Sequence, residues 1–499
     1  MRTSEGQRVN QALDDDLAAL QEARALVARA VPAAKAFARL EPADAWRIAE
    51  QVCLACEDRA EHYARWAVEE TGIGRAQDKL FKNLLASREL MTFHRRSVLG
   101  GLQVDKERKM LLVGRPAGVV MGLVASTSPI ATLYFKVLSC LMTRNAVVLS
   151  PHPLALNCSI DAADHLSEAA RAAGAPADVI QIQRTPTLDA THALMRNPGV
   201  NLILATGGSP MVRAAYSSGT PSLGVGPGNV PVYVDASADL TLAVDETMAA
   251  KTFDYGSACS TPSAVFVHRD VERAFTEQMK RAGAFYCDAQ QQQRLEAFAF
   301  PEGRLNPKIV GRSAAWIAQQ AGLPGASQAQ VLIGTLGVVS RDSPMAKEKL
   351  SPILGQKCVD DREHAIREAR AMLAVSGTGH TSGIFSEDLE TIALWGSTLD
   401  VNRTVVNKGT SMGVIGAGTG LAPTFTIGTG FAGRSSIAEN VGPEHLINWK
   451  RISFPTAAAA MFVPREASQA EPSSDTNDAH IRTTIRTLLE LALESRTTS

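Results

Sequence analysis

The chain has 499 residues, 45% of them apolar and 20% charged, with a net charge of −1. That length can bury a large core and hold two or three domains. The balanced charge argues against a nucleic-acid partner. No apolar run approaches a membrane span, and AAAAMFV at Ala457–Val463 is far too short. The opening stretch, MRTSEGQRVNQALDDD, is polar and acidic and lacks the apolar segment of a secretory signal. The cysteines number seven and are scattered, which fits reduced thiols and a cytoplasmic setting.

From about Leu17 to Leu99 the apolar residues recur at helical spacing, punctuated by Gly72 and Gly74. Cys53 and Cys56 form a CxxC inside this region, in WRIAEQVCLACEDRAEHYARW. No second CxxC or paired His follows, so they read as small apolar residues on a buried helix face, and no metal site is expected. A strand-like KMLLVGRPAG comes next.

A regular alternation then begins. GVVMGLVAS from Gly118, AVVLSPHP from Ala146, VIQIQRT, NLILATGG and NVPVYVD read as five strands. The segments between them, from PIATLYFKVLSCLMTRN to SPMVRAAYSSG, read as helices. Five strands separated by helices predict a parallel, Rossmann-like sheet. A second α/β region starts near Leu242 with AVFVHRD, the helix VERAFTEQMKRAGAF, VLIGTLGVVSRD, a helix near His364–Leu373 and GHTSGIFSED. After Arg465 the composition turns to Pro, Ser and Asp, as in a flexible linker. The last segment, IRTTIRTLLELALESR, places Ile481, Ile485, Leu488, Leu489 and Ala492 on one helical face and Arg482, Arg486, Glu490 and Glu494 on the other. Such a helix either docks on its own subunit or a neighbour, or enters another protein's groove.

Two motifs carry chemistry. In DYGSACSTPSAVF, Cys259 sits in a Gly/Ser turn leading into a strand, where a side chain can project into a cleft as a nucleophile. In ATGGS, Ala205–Ser209, glycines join a buried strand to a helix, which lets backbone approach a phosphate. GVGPGN, Gly224–Asn229, is a second Gly-rich turn. From Ala190 through Val234 there is no Asp or Glu, so this stretch offers no base to activate water against an acyl-cysteine.

In order, EETGIGRAQDK from Glu69, TRNAVVLSPHP from Thr143, LATGGSPMVRAAYSSG, GVGPGN, KTFDYGSAC, EKLSPIL from Glu348, GHTSGIF from Gly379, and LAPTFTIGTG followed by ENVGPEHLIN resemble the aldehyde dehydrogenase superfamily. The likeness is to its coenzyme A-acylating branch, including the aldehyde half of bifunctional alcohol/aldehyde dehydrogenases, and runs from about Leu26 to Phe462. It implies an aldehyde dehydrogenase-like α/β fold: a Rossmann-type parallel-sheet cofactor domain, a second α/β catalytic domain and a small oligomerisation element. The implied division is an N-terminal tail at 1–16, a helical region with the cofactor domain at 17–241, and the catalytic domain at 242–430. A return segment at 431–464, a linker at 465–480 and an amphipathic helix at 481–499 complete it.

The resemblance implies that Cys259 attacks a short aldehyde of the acetaldehyde or propionaldehyde class. Hydride passes to NAD or NADP, and coenzyme A rather than water releases the acyl group. Thr206, Gly207 and Gly208 are implied near the dinucleotide phosphates, Ser150 and Pro151 near the adenosine ribose, and Glu348 at the nicotinamide ribose. Hydrolytic relatives carry a glutamate base at the position of Val225. The family usually has Thr-Asn-Pro where this chain has Thr127-Ser128-Pro129, so Ser128 stands where an amide helps hold the oxyanion; losing such a donor costs about 3 kcal/mol. A second departure is Ser260-Thr261-Pro262 in place of Ser-Glu-Gln. The implied assembly is a homo-oligomer, dimer or tetramer. The C-terminal pattern resembles encapsulation peptides, which makes a microcompartment shell protein a candidate partner of residues 481–496 and the microcompartment interior a candidate location. A hydrolytic aldehyde dehydrogenase and an inactive shell-binding scaffold of the same fold are the alternatives.

Overall fold

A computed structural model of the chain describes residues 14–454. The expected linker and C-terminal amphipathic helix lie outside the described residues. The N-terminal region is helical as expected, with helices Asp15–Phe37, Pro42–Asp58, Ala60–Thr71 and Ala76–Leu84. Gly72 ends the third of these in the left-handed conformation, φ +66°, where only glycine escapes steric cost. A single wide turn, Leu85–Glu89, then carries the fourth helix on to His94.

Strands β1 (Gly101–Asp105) and β2 (Met110–Pro116) follow. Next come β3 (Val119–Leu123), β4 (Ala146–Ser150), β5 (Ile180–Ile182), β6 (Leu202–Ala205) and β7 (Ser222–Gly224). These five form an all-parallel sheet in the order β5-β4-β3-β6-β7. Chain order reverses between β3 and β6, which makes that point the topological switch where open α/β sheets bind ligands. Strand periodicity divides the side chains between two cores. Val120, Val147, Leu149 and Leu204 face helices Pro42–Asp58, Pro129–Met142 and Leu156–Ala172. Met121, Val148, Ile203 and Ala205 face helices Asp15–Phe37 and Leu188–Met195. All residues of Pro129–Met142 are buried.

The second sheet contains β8 (Val230–Val234), β9 (Pro262–His268), β10 (Ala284–Tyr286), β11 (Val331–Thr335), β12 (Ile353–Val359), β13 (Ser382–Phe385) and β14 (Thr404–Val406). It is parallel throughout, in the order β10-β11-β12-β9-β8-β13-β14. Its faces alternate likewise, Tyr233, Phe266 and Ile384 on one side and Val232, Val265 and Leu354 on the other. Finally β15 (Ile447–Ser453) joins β1 and β2 in a three-stranded sheet ordered β1-β2-β15. A small compact unit consists of Val104–Leu111 and the described residues from Ile452; within it the Phe454 amide donates to the Lys109 carbonyl at 3.0 Å.

One expectation is corrected. NVPVYVD does not complete the first sheet: as β8 it lies between β9 and β13, near the middle of the second. A run buried on both faces fits a central place in either sheet, so its pattern could not choose. The fifth place goes to β7, three residues with no periodicity to read. The strands β10, β12 and β14 were also not anticipated.

The face of β8 and β13 that receives helix Leu389–Thr398 holds Trp395, which stacks on Tyr233 with ring centroids 5.5 Å apart and donates its indole N–H to Ser382 Oγ at 3.2 Å. Trp395→Ala should lower the unfolding free energy by about 3–5 kcal/mol, read as a fall in the urea midpoint, without changing the alkylation rate of Cys259. An unchanged midpoint would mean the stack carries no stability.

Candidate active site

Cys259 lies in the turn that enters β9, at the N-terminal edge of the second sheet. Three consecutive residues before it, Asp254, Tyr255 and Gly256, have φ of 49°, 51° and 65°. Left-handed backbone costs a non-glycine residue about 1–2 kcal/mol, so something must hold this turn. The holder is the Asp254 carboxylate, which is buried. It accepts from Lys82 Nζ at 2.6 Å, Lys79 Nζ at 2.9 Å, Ser257 Oγ at 3.0 Å and the Arg75 amide at 2.8 Å. Its own amide donates to Asp78 at 2.7 Å. Burial opposes its charge, yet the two ammonium groups hold its pKa well below the usual carboxylate range. Gly256 is required twice over: besides its φ, a Cβ there would meet the Ser351 carbonyl at 2.8 Å.

The same lysines reach the segment carrying Ser128. Lys79 donates to the Thr127 carbonyl at 2.9 Å and Lys82 to Ser128 Oγ at 3.1 Å. The cluster thus ties the DYG turn to the Thr-Ser-Pro turn through helix Ala76–Leu84.

Around the sulfur the geometry is specific. Nε2 of His380 lies 3.2 Å from Cys259 Sγ, and Nδ1 of the same ring lies 2.9 Å from Thr381 Oγ1. Burial, then the Arg403 guanidinium, push the imidazole down to about 3, so it is neutral. Burial, then the Glu348 carboxyl, push the Cys259 thiol up to about 12. Glu348 is itself raised to about 8 by burial, and its Oε1 accepts the Gly228 amide at 3.1 Å. Gly228 explains part of GVGPGN: a Cβ there would meet the Cys259 carbonyl at 1.8 Å. The register shift between Val230 and Pro231, where β8 pairs with β9, belongs to the same close approach.

Opposite these polar groups is an apolar wall. Leu85, Val225, Val405, Val414, Ile415 and Ile427 form a buried cluster, and Cys259 packs against it. Ser260 and Thr261 turn away into the protein, their hydroxyls donating to Ser411 O at 3.4 Å and Ala250 O at 3.2 Å.

ATGGS lies at the C-terminal end of β6, beside the topological switch, and opens helix Ser209–Tyr216. Gly207 and Gly208 are exposed. A Cβ at either would meet nothing closer than 3.8 Å, so crowding within the chain does not demand glycine there. An approaching phosphate would, and the dinucleotide fits this turn on that ground. The Thr206 hydroxyl donates to Phe425 O at 3.2 Å, which leads toward Ile427 in the wall. Ser150 ends β4 nearby; its hydroxyl is buried, donating to Gln183 Oε1 at 3.0 Å with Thr191 Oγ1 at 3.3 Å, and Pro151 is buried beside it.

Sequence reasoning therefore named Cys259, Glu348, Val225 and Ser128 but not His380, Arg403, Lys79, Lys82 or Asp254. Only the Gly-His-Thr-Ser turn before a buried strand hinted at His380. Of the other six cysteines, Cys53, Cys56, Cys140 and Cys158 are buried, Cys287 half-buried and Cys358 exposed. Among the described residues no group of His, Cys, Asp and Glu could hold a metal, and no helix is long and apolar enough to cross a membrane.

Comparison places this arrangement. The aldehyde dehydrogenase family model matches residues 11–286, and the chain belongs to that family. It is 37% identical over 438 residues to the bifunctional aldehyde-alcohol dehydrogenase AdhE of Escherichia coli (strain K12), covering 87% of this chain and 49% of that protein, so it spans about half the length of that relative. The crystal structure of an acetylating aldehyde dehydrogenase from Geobacillus thermoglucosidasius is 37% identical with a TM-score of 0.87, over 92% of this chain and 100% of that one. A propionaldehyde dehydrogenase from the fucose utilisation bacterial microcompartment of Clostridium phytofermentans is 26% identical with a TM-score of 0.78, over 87% of this chain and 97% of that one.

The sulfur's surroundings predict a pH profile. Only the thiolate is alkylated, so carboxamidomethylation of Cys259 by iodoacetamide should accelerate as pH rises from 7 to 10, by about tenfold per unit away from pH 8 and by less across it, where Glu348 ionises. Above pH 8 the ionised Glu348 opposes the thiolate. Glu348→Gln should leave the rate at pH 7 unchanged and raise it several-fold at pH 9. Equal rates for both proteins at both pH values would remove Glu348 from the electrostatics of the sulfur.

Proposed function

We propose that the chain is a coenzyme A-acylating aldehyde dehydrogenase, in which Cys259 forms a thioester that coenzyme A rather than water resolves. The observation that carries this reading is the apolar wall. Val225 occupies the place where the family resemblance puts the water-activating glutamate, and it packs in the cluster against Cys259. The acetylating relative at 37% identity supports the same choice.

The resting site is latent. Burial keeps the thiol protonated and the imidazole neutral, so the sulfur gains its charge only as the substrate's carbonyl oxygen takes it up. As the S–C bond forms, the thiol proton has Nε2 of His380 as its acceptor. The carbonyl π pair moves onto oxygen, beside Ser128. NAD or NADP, when bound, would supply the hydride acceptor. Glu348, held by the Gly228 amide, would orient its ribose, with Thr206, Gly207 and Gly208 cradling the phosphates and Ser150 and Pro151 flooring the adenosine side. The apolar wall excludes water from the thioester until the coenzyme A thiol arrives.

The substrate class is a short aldehyde such as acetaldehyde or propionaldehyde, and the assembly a homodimer or homotetramer. Residues 481–496 are assigned to a microcompartment shell protein. Their amphipathic pattern beyond a Pro/Ser/Asp-rich linker supports that assignment, as does the microcompartment relative.

The test is nicotinamide reduction by the full chain with propionaldehyde, with and without coenzyme A. Turnover should require coenzyme A, yield propionyl-CoA and vanish in Cys259→Ala. Steady turnover to free acid without coenzyme A would mean that Glu348 or another group activates water, the hydrolytic alternative. Removing residues 466–499 should leave catalysis intact and abolish co-purification with a co-expressed shell protein; lost folding would make the segment structural instead.

A further inference from the structure

Ser128 stands where the family carries an amide, and a lone hydroxyl is a weaker and shorter donor. Its surroundings address that deficit. Ser128 is the residue preceding helix Pro129–Met142, with φ −149° and ψ 61°, and its side chain makes no capping hydrogen bond. A serine at this position ordinarily folds back onto the first amides of the helix. Here the hydroxyl oxygen instead accepts from Lys82 Nζ at 3.1 Å. A hydroxyl has one proton and two acceptor sites. Lys82 can only donate, so it fills an acceptor site and leaves the Ser128 proton free, with no acceptor for it among the described residues.

The ammonium is held in place. Lys82 is nearly inaccessible, donates to Asp254 at 2.6 Å and lies 5.3 Å from the centroid of the Phe253 ring. Leu85, on the next turn of the same helical run, belongs to the wall against which Cys259 packs. The Lys82 charge also bears directly on Cys259, favouring its thiolate against burial, so the ammonium and the hydroxyl it holds lie on the sulfur's side of the cluster.

We propose that Lys82 makes Ser128 an oxyanion donor: by bonding to the hydroxyl oxygen it orients and polarises the Ser128 O–H toward the oxygen that becomes charged when Cys259 attacks a carbonyl. The proposal rests on Cys259 as nucleophile. In the step concerned, the S–H bond breaks with its proton passing to His380 Nε2, the sulfur adds to the carbonyl carbon and the π pair moves to oxygen. Ser128 donates a hydrogen bond without giving up its proton, and nothing is oxidised or reduced. Lys82 acts through Ser128 and is a positioning residue.

The reaction that isolates this step is acylation of the full chain by p-nitrophenyl acetate, followed by the p-nitrophenolate burst, with the acetyl group located on Cys259 by mass spectrometry. It passes through an oxyanion but needs neither nicotinamide nor coenzyme A. Ser128→Ala should slow the burst about 10²–10³-fold, the usual loss for one oxyanion donor. Its iodoacetamide alkylation, which forms no oxyanion, should keep the wild-type rate. Ser128→Asn should stay within about tenfold of wild type, since an amide donates without polarisation. Lys82→Met should slow the burst, add nothing to Ser128→Ala, and be rescued by Ser128→Asn. Where Lys82→Met does not fold, Lys82→Arg keeps a cation against Asp254 while displacing the donor from Ser128, and the same rescue applies. Wild-type acylation by Ser128→Ala overturns the proposal. Additive losses from Lys82 and Ser128, with no rescue by asparagine, overturn it too and leave Lys82 a structural counter-ion of Asp254. Alkylation of Cys259 without any acylation in the wild type would overturn the nucleophile reading and the proposal with it.

Discussion

The ion cluster at Asp254 is the constraint on which the site depends. Taking a carboxylate and two ammonium groups out of water costs several kcal/mol per ion, and only close pairing and full hydrogen bonding offset it. Asp254 has both, with lysines at 2.6 and 2.9 Å and further bonds from Ser257 and Arg75. Such a cluster adds little net stability compared with an apolar core. What it supplies is position, because a left-handed Asp-Tyr-Gly turn would relax if the carboxylate were free to move. Asp254 cannot move without stranding two buried cations. The turn before Cys259 is thereby referenced to helix Ala76–Leu84 and, through the same two lysines, to Thr127 and Ser128.

The two large sheets divide the remaining work. The first presents its C-terminal edge, with ATGGS after β6 beside the switch point. The second presents its N-terminal edge, where the turns before β8, β9 and β13 deliver Gly228, Cys259 and His380. Strands this buried have little freedom, so the turns at their ends inherit fixed positions. The separations that result are small enough to dictate residue type. Gly228 has the Cys259 carbonyl where a side chain would begin, and Gly379, at φ +80°, has the Thr429 carbonyl within 1.9 Å of its missing Cβ. The glycines of ATGGS differ, since nothing in the chain crowds them and the turn is left open to solvent.

This difference sets what the sequence could disclose. Continuous apolar runs such as Val119–Leu123 and Ala146–Ser150 announced parallel strands, because burial on both faces leaves an unbroken apolar signature. The same signature made Val230–Val234 ambiguous, since pairing partners are decided by long-range packing and not by local pattern. β7 and β14, three residues each, have no pattern at all. At the site, Cys259 was legible from its Gly/Ser turn, and Glu348 and Val225 from the family resemblance, Val225 falling within the carboxylate-free stretch. Asp254 was quoted within KTFDYGSAC, yet nothing local reveals that an aspartate before Tyr-Gly meets lysines about 170 residues upstream, the separation between Asp254 and Lys82. His380 was hidden for the same reason, 121 residues from its sulfur.

The electrostatics of the sulfur bear on why such a site would be built latent. An activated thiolate, paired with a protonated imidazole, would be open to oxidation and to any electrophile. Here the desolvation that raises the thiol also lowers the imidazole, so an ion pair between Cys259 and His380 is disfavoured from both ends. At neutral pH the thiolate fraction is small, so a carbonyl oxygen that takes up the charge as the sulfur attacks is the favoured route. Selectivity then rests less on the nucleophile than on the oxyanion position. Under the proposed oxyanion role, the replacement of an amide by Ser128, backed by a buried ammonium, is the departure that bears most on which carbonyl compounds would react. The apolar wall completes the logic of the proposed function: a thioester on Cys259, which packs against the cluster containing Val225 and Ile427, would meet no carboxylate from the Ala190–Val234 stretch, and the acceptor would bring its own nucleophile.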